Sequence, residues 1–157
     1  MQTFSDAELV ASINEAFDLC DQFLYYGIDI KPRAVWASAK TNEFIAEWTV
    51  QEEHISSLTG CIDEGCLGTL TDNITAMLII GLVPSLKSVS TSISIRGLAP
   101  IAPGTEVEIL CRLTNERTRQ PHATAVFRDK HDRSKVYGMG SHTKFFKAGL
   151  VETQPKM

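Results

Sequence analysis

The sequence predicts an α+β domain: an antiparallel β-sheet wrapped around a long central α-helix, with an additional N-terminal helix. Three observations predict it. The chain has 157 residues, which is one domain's worth at roughly 100–200 residues per domain. One segment, from about Glu64 to Gly81, has helical spacing and is apolar on most sides, the mark of a buried helix. The segments 34–50 and 88–144 instead alternate with period two, as half-buried strands do. A lone buried helix beside a run of strands needs the sheet face as its cover.

The first element is the N-terminal helix, residues 5–26. Ser5 and Glu8 have the spacing of a capping box. Leu9, Ile13, Ala16, Phe17, Cys20 and Leu24 recur at helical intervals, and Gly27 is placed to end the helix. A connector leads to Pro32. Residues 34–50 read as a hairpin, with Phe44, Ala46, Trp48 and Val50 on one face and a turn at Lys40-Thr41-Asn42. Gln51-Glu52-Glu53-His54 is a polar break and 55–65 a loop. Asp63 is placed to cap the central helix, and Gly81 and Pro84 stop it. At 1.5 Å per residue that helix is about 27 Å long.

Three further strand regions follow. Ser88 to Ile95 alternates Val89, Thr91, Ile93 and Ile95 against four serines. Thr105 to Leu113 alternates Val107, Ile109, Cys111 and Leu113. Ala123–Phe127 and Val136–Lys144 form the last pair across a polar turn. Leu98 to Gly104 holds two prolines and is therefore not strand interior. The domain limits expected are a helical extension over 1–33, the sheet-and-helix domain over 34–147 and a tail over 148–157.

Composition excludes several classes. Hydrophobic residues make up 43% and charged residues 22%, unlike a disordered chain, a collagen or a coiled-coil rod. A domain of about 150 residues buries roughly 70% of its unfolded surface and needs no staples. The apolar stretch Ile74–Val83 is too short to span a bilayer. Four cysteines (Cys20, Cys61, Cys66, Cys111) are not a disulfide scaffold at this length. The N-terminal residues carry neither a signal-peptide pattern nor a basic transit pattern. The expectation is a soluble, reduced, cytoplasmic protein, with mitochondrial placement left open. His54, Cys61 and Cys66 do not have zinc-site spacing and lack a fourth ligand, so no metal is expected.

The net charge is −4, but its distribution is uneven. Residues 1–111 hold 5 Lys/Arg against 15 Asp/Glu, whereas 112–147 hold 9 against 3. A basic third reads either as phosphate-binding surface or as charged strand edges that prevent aggregation. It lacks interleaved aromatics, so nucleic acid is not an expected partner.

One residue of the central helix needs explaining. Asp72 lies between Leu70 and Ile74, on a face shared with Gly65, Gly68, Thr69, Ala76 and Ile79. A carboxylate there is costly without a partner. It reads either as a structural Asp bonded to a neighbouring strand or left at a helix edge, or as a general base or nucleophile in a pocket. The free N–H groups of residues 64–67 at the helix start are able to polarise a carbonyl. They stand roughly 10–13 Å from Asp72 along the axis. The two groups meet at one carbonyl only if a second subunit supplies one of them.

These residues resemble the hotdog-fold acyl-CoA thioesterases of the phenylacetate-degradation type and the related animal thioesterase superfamily members. The resemblance covers about 34–147. It is carried by Val50-Gln-Glu-Glu-His54, Gly68-Thr-Leu-Thr-Asp-Asn-Ile-Thr-Ala-Met77 and Ser88-Val-Ser-Thr-Ser-Ile-Ser-Ile95. Leu98-Ala-Pro100, Pro103-Gly104 and His142-Thr-Lys144 complete it. It implies a hotdog fold and a homodimer with facing helices, often paired into a dimer of dimers. It also implies an acyl-CoA substrate held between subunits, with coenzyme A present only as part of that substrate.

By the same resemblance Asp72 is the general base or nucleophile and Ser90 orients water. The N–H groups at Glu64 and Gly65 polarise the thioester, and the upstream Asn of the family falls on Ser56 or Ser57. Asp63, Arg117, Arg119, Lys144 and Lys147 are the remaining candidates, the four basic residues for the coenzyme's phosphates. Where the family loop reads His-Gly-Gly, this sequence reads Asp63-Glu64-Gly65. Two alternatives follow from that departure: Glu64 as a substitute base, or an acyl-CoA-binding protein without hydrolysis.

Overall fold

A computed structural model describes residues 4–21, 30, 32–82, 88–114 and 120–146, with no side-chain description at 19–21 and 80. It contains two helices, α1 (Asp6–Asp21) and α2 (Glu64–Leu82). It contains six strands: β1 (Arg33–Ser38), β2 (Glu43–Thr49), β3 (Ser88–Gly97), β4 (Glu106–Leu113), β5 (His122–Asp129) and β6 (Val136–Phe146). They form one antiparallel sheet in the order β1-β2-β4-β5-β6-β3. The chain leaves β2, crosses the inner face as α2 and returns as β3 at the far edge. β4 then pairs back on β2. The α+β arrangement read from the sequence is the one found. The expected end of the first helix, at Gly27, lies outside the described residues.

Local chemistry starts each helix. Glu8 accepts the Ser5 N–H at 2.8 Å, and Ser5 Oγ accepts the Glu8 N–H at 3.3 Å, the reciprocal capping box its sequence predicts. Leu9, Ile13 and Ala16 are buried. The Asn14 side chain grips the backbone of β1 from both sides: Oδ1 accepts the Ala34 N–H (2.9 Å) and Nδ2 donates to its carbonyl (3.0 Å). An edge strand with groups satisfied in this way is a poorer template for aggregation.

The packing of α2 along β6 sets the rest of the interior. Two-residue steps on a strand are about 6.7 Å and four-residue steps on a helix about 6 Å. The two ladders therefore run nearly in step. Leu67 lies over Gly138, Thr71 over Gly140 and Thr75 against His142. Glycine is required at the middle rung, because a Cβ on Gly140 would stand 2.2 Å from Thr71 Oγ1. The side of α2 that faces the sheet is fully buried at Leu70, Thr71, Ile74, Thr75 and Leu78.

β3 departs from the sequence expectation. Strict alternation places Ser88, Ser90, Ser92 and Ser94 on one face. Instead the register slips between Ser90 and Ser92, so that Ser90 opposes Lys144, Ser92 opposes Thr143 and Ile93 opposes His142. The extra residue, Thr91, is a β-bulge, and its hydroxyl donates to the Thr143 carbonyl at 3.0 Å. One inserted residue exchanges the faces of everything before it. Ser90 consequently shares the inner face with Ile93 and Ile95.

Strand pairing also resolves the uneven charge. Arg112 pairs with Glu43. Arg128 and Arg133 hold the buried Glu108. Lys130 bridges Glu47 (2.9 Å) and Glu106 (3.0 Å). The acidic part of the sequence supplies β2 and most of β4, and the basic part supplies the end of β4, β5 and the turn after it. Among the described residues, ion pairs on a sheet surface are the result rather than one broad cationic face.

Gly140→Ala forces a methyl group into Thr71. It is expected to lower stability by about 1–3 kcal/mol, the usual range for overpacking, measured by urea unfolding. Adding Thr71→Ala removes the two nearest clashing atoms and should restore part of the loss.

Candidate active site

Asp72 sits one residue beyond Thr71, where α2 turns from the sheet interior toward the β3 edge. It is half-buried, with 31% of its side chain exposed. Three side chains converge on it. Ser90 Oγ and His142 Nε2 each stand 3.4 Å from Oδ1, and Lys144 Nζ stands at 3.8 Å. The same three meet one another: Ser90 Oγ is 3.0 Å from His142 Nε2 and 3.2 Å from Lys144 Nζ. The β-bulge on β3 and the inward period of β6 bring these groups together.

The hydrogen-bond network assigns the protons. Thr75 Oγ1 donates to the Thr71 carbonyl at 2.8 Å, so it accepts from His142 Nδ1 at 2.6 Å. Nδ1 then carries the imidazole proton and Nε2 is left as an acceptor. The Ser90 hydroxyl donates to Nε2 at 3.0 Å in preference to the longer 3.4 Å path to Asp72. Lys144 donates to Ser90 Oγ. A water against Asp72 therefore meets a carboxylate, with the second lone pair of Ser90 Oγ left to hold it.

Burial controls the titration. His142 is fully buried. Desolvation, helped by the Lys144 cation and opposed by Asp72, pushes its pKa down to about 4. The imidazole is neutral near pH 7. Burial also lowers the Lys144 pKa, while Asp72 draws it back up.

The second part of the candidate site is the start of α2. Asp63 caps it, with Oδ1 accepting the Gly65 N–H at 2.8 Å and the Asp63 carbonyl accepting Cys66 N–H at 3.0 Å. Among the described residues, no hydrogen bond is found to the Glu64 N–H. Glu64 and Asp63 line an open cleft of about 740 Å³, with Ser56 and Leu67 beside them and Gly97–Pro100 opposite. Ser56 lines this cleft, whereas Ser57 is exposed in the adjoining turn and does not. Eight residues separate Glu64 from Asp72, about 12 Å along the axis.

The sequence candidates thus fall into two groups within one chain. Asp72, Ser90 and Lys144 are brought together. Asp63, Glu64 and Gly65 form the helix start. Lys144 is turned inward, 8% exposed, rather than standing at a strand end. Arg117, Arg119 and Lys147 lie outside the described residues. His142 and Thr75 carry much of the network, and no role was read for either from the sequence. The available signal was the two-residue spacing of His142 and Lys144, which puts both on one strand face.

His54 is buried against the Trp48 ring, centroids 4.9 Å apart. Its Nδ1 accepts the Gln51 N–H. Among the described residues, no group of three or more His, Cys, Asp or Glu could hold a metal ion. Burial and the Asp63 charge push the Cys66 thiol up to about 12, so it is a packing residue and not a nucleophile.

No family model matches the sequence, and none of the curated proteins matches it. Solved structures do. Zebrafish thioesterase superfamily member 2 superposes with a TM-score of 0.72 over 88% of this chain and 98% of that one, at 21% identity. Thioesterase superfamily member 2 from Mus musculus gives 0.71 over 92% and 98%, at 23% identity. This is the hotdog fold. A hypothetical thioesterase protein from Streptococcus pneumoniae, solved with coenzyme A, gives 0.64 over 74% and 86%, at 15% identity. Among the described residues, no helix of this hotdog chain is long and apolar enough to cross a membrane.

The His142 environment has a pH signature. The unfolded chain takes up the imidazole proton as pH falls through 6.5, while the folded chain resists until about 4. The stability tied to neutral His142 is therefore complete above pH 6.5 and drains as pH falls toward 4. Urea unfolding of wild type and His142→Gln at pH 7 and pH 5 measures it. The stability gap between the two is expected to narrow by about 2 kcal/mol at the lower pH.

Proposed function

We propose that this protein hydrolyses the thioester of an acyl-CoA to the free acid and coenzyme A. The observation that carries this reading is the convergence of Ser90, His142 and Lys144 on the half-open Asp72 carboxylate. The hotdog fold and the coenzyme A held by the pneumococcal structure support it.

In this reading Asp72 takes a proton from water held by Ser90. The resulting hydroxide attacks the thioester carbonyl carbon. The tetrahedral intermediate collapses with cleavage of the C–S bond, and the departing thiolate regains the proton. The Glu64 N–H polarises the carbonyl oxygen, as a free donor at a helix start can. The roughly 12 Å between Glu64 and Asp72 makes the working unit a homodimer, with one copy supplying the helix start and the other the carboxylate. Gly65 adds a second donor once Asp63 releases its N–H. Arg117, Arg119 and Lys147 hold the coenzyme's phosphates, and Lys144 remains with Asp72. Fatty or aryl acyl groups are the substrate class.

A second reading is an acyl-CoA-binding protein that does not turn over. One observation favours it: the Asp63 carboxylate occupies the Gly65 N–H that an oxyanion would use.

Thiol release from short, medium, long and aryl acyl-CoAs separates these readings. Wild type is expected to turn over at least one class, and Asp72→Ala to lose 10²-fold or more, the scale of a lost general base. Binding of all four classes without thiol release would leave only the second reading.

Glu64→Gly tests the helix start. It keeps the N–H and removes a carboxylate from beside the carbonyl. The expected outcome is unchanged or higher kcat/KM, whereas a collapse in kcat would make the Glu64 side chain the base.

A further inference from the structure

Holding a water needs only a hydroxyl, yet the Ser90 hydroxyl is bonded on two sides. Its Oγ is 3.0 Å from His142 Nε2 and 3.2 Å from Lys144 Nζ. Ser90 is an exposed residue of the edge strand β3, while His142 and Lys144 behind it on β6 are buried. An exposed hydroxyl backed by a buried, neutral imidazole is the arrangement of a serine nucleophile with its base.

The protons are placed for that chemistry. His142 Nε2 is the acceptor because Nδ1 carries the proton, donated to Thr75 Oγ1 at 2.6 Å. Thr75 is fixed in turn by the Thr71 carbonyl at 2.8 Å. It takes the orienting place that a carboxylate holds in a Ser-His-Asp set. Moving a proton from Ser90 Oγ to Nε2 creates an imidazolium and an alkoxide. The imidazolium forms 3.4 Å from Asp72 Oδ1, and the alkoxide forms against the Lys144 cation. Each new charge thus has an opposite charge beside it. Burial makes His142 a weak base, with a pKa of about 4, so the transfer is slower than with a base matched to pH 7.

All these groups belong to one chain, and none lies at the start of α2. A substrate for them needs neither a second copy nor coenzyme A. The free lone pair of Ser90 Oγ that holds water in thioester hydrolysis attacks when a small ester is seated on it.

We propose that Ser90 is a nucleophile for small activated oxygen esters, which pass their acyl group to it. Oγ attacks the carbonyl carbon as its proton moves to His142 Nε2. The bond to the leaving alcohol or phenol oxygen breaks, and Nε2 gives that oxygen the proton. Asp72 then takes a proton from water, and the hydroxide attacks the acyl-serine carbonyl. Ser90 Oγ departs and regains the proton from Asp72. This activity goes beyond the acyl-CoA reading and does not rest on it.

Loss of turnover in Ser90→Ala would not tell a nucleophile from a water holder, but a covalent bond to Oγ does. The probe is a small alkyl fluorophosphonate, which loses fluoride to a serine nucleophile and leaves a phosphonyl-serine that resists hydrolysis. Wild type is expected to gain one phosphonyl group, mapped to Ser90 by peptide mass spectrometry, and to stop hydrolysing p-nitrophenyl acetate as it does so. His142→Gln should label about 10-fold more slowly or worse. Thr75→Val keeps the imidazole but frees its tautomer, and should slow labelling too; circular dichroism melting checks that each variant folds. Folded wild type with Ser90 unlabelled, or labelled at Lys144 instead, would overturn the proposal. So would full p-nitrophenyl acetate turnover by the Ser90-labelled chain, or labelling at the wild-type rate in both folded variants. Labelling by a chain that releases no thiol from any acyl-CoA sustains this proposal and removes the thioesterase reading, whereas thiol release without labelling does the reverse.

Discussion

The near match between helix rise and strand rise, where α2 lies along β6, is the constraint from which the rest of the interior follows. Helix and strand ladders stay in step for only a few rungs, and this chain uses them. The first rungs are made by glycines, which let the backbones approach. The next is the Thr75–His142 hydrogen bond, after which Lys144 reaches Asp72 and Ser90. Close packing at Gly138 and Gly140 therefore positions polar groups several residues further along. A helix held further from the sheet would leave His142 Nδ1 without its threonine, a buried donor unpaired at a cost of roughly 1–3 kcal/mol.

That geometry explains how three ionisable or polar groups share one small space. Ser90 Oγ receives from Lys144 and donates to His142, while His142 Nδ1 is held through Thr75 by the helix backbone itself. The imidazole is kept neutral by burial and by the neighbouring cation. The cluster then contains one cation and one carboxylate, with neutral groups between them. Breaking one partner of such a set leaves the others unpaired, so the network is cooperative rather than a sum of pairs. It also leaves Asp72 as the group on the open side, where a small molecule can reach it.

Much of the fold was legible in the sequence because it is written in periodicity. The apolar period of α2, the alternation of β2, β4 and β5, and the capping box at Ser5 and Glu8 each have a local cause. What was not legible depends on pairing between distant segments. The β-bulge at Thr91 is set by what β6 offers opposite it, and alternation within Ser88–Ile95 carries no trace of it. The basic third left two readings open in the linear sequence, a phosphate-binding surface or charged strand edges, and only pairing shows that β5 and its turn lie against the acidic residues of β2 and β4. Asp72 stood out because a carboxylate on an apolar helix is unusual. His142 did not, because histidine on a strand is ordinary until its two neighbours are known.

The start of α2 sets the opposing demands of stability and chemistry on the same few atoms. A helix start carries partial positive charge and unpaired N–H groups, and both folding and oxyanion binding use them. Asp63 spends the Gly65 N–H on holding the helix, and typical N-cap energies of about 1 kcal/mol are comparable with one ordinary hydrogen bond. An oxyanion is a stronger acceptor than a solvated carboxylate only where water is excluded. In the open cleft of a lone chain, Asp63 therefore keeps the N–H. In the proposed reaction, with a second copy over the cleft and a thioester in it, the developing charge would compete on better terms, and the nearby carboxylates of Asp63 and Glu64 would be the repulsion to overcome. Under the proposed function, Asp63-Glu64-Gly65 would thus make polarisation depend on how completely a second copy excludes water, while the Asp72 cluster is assembled within one chain.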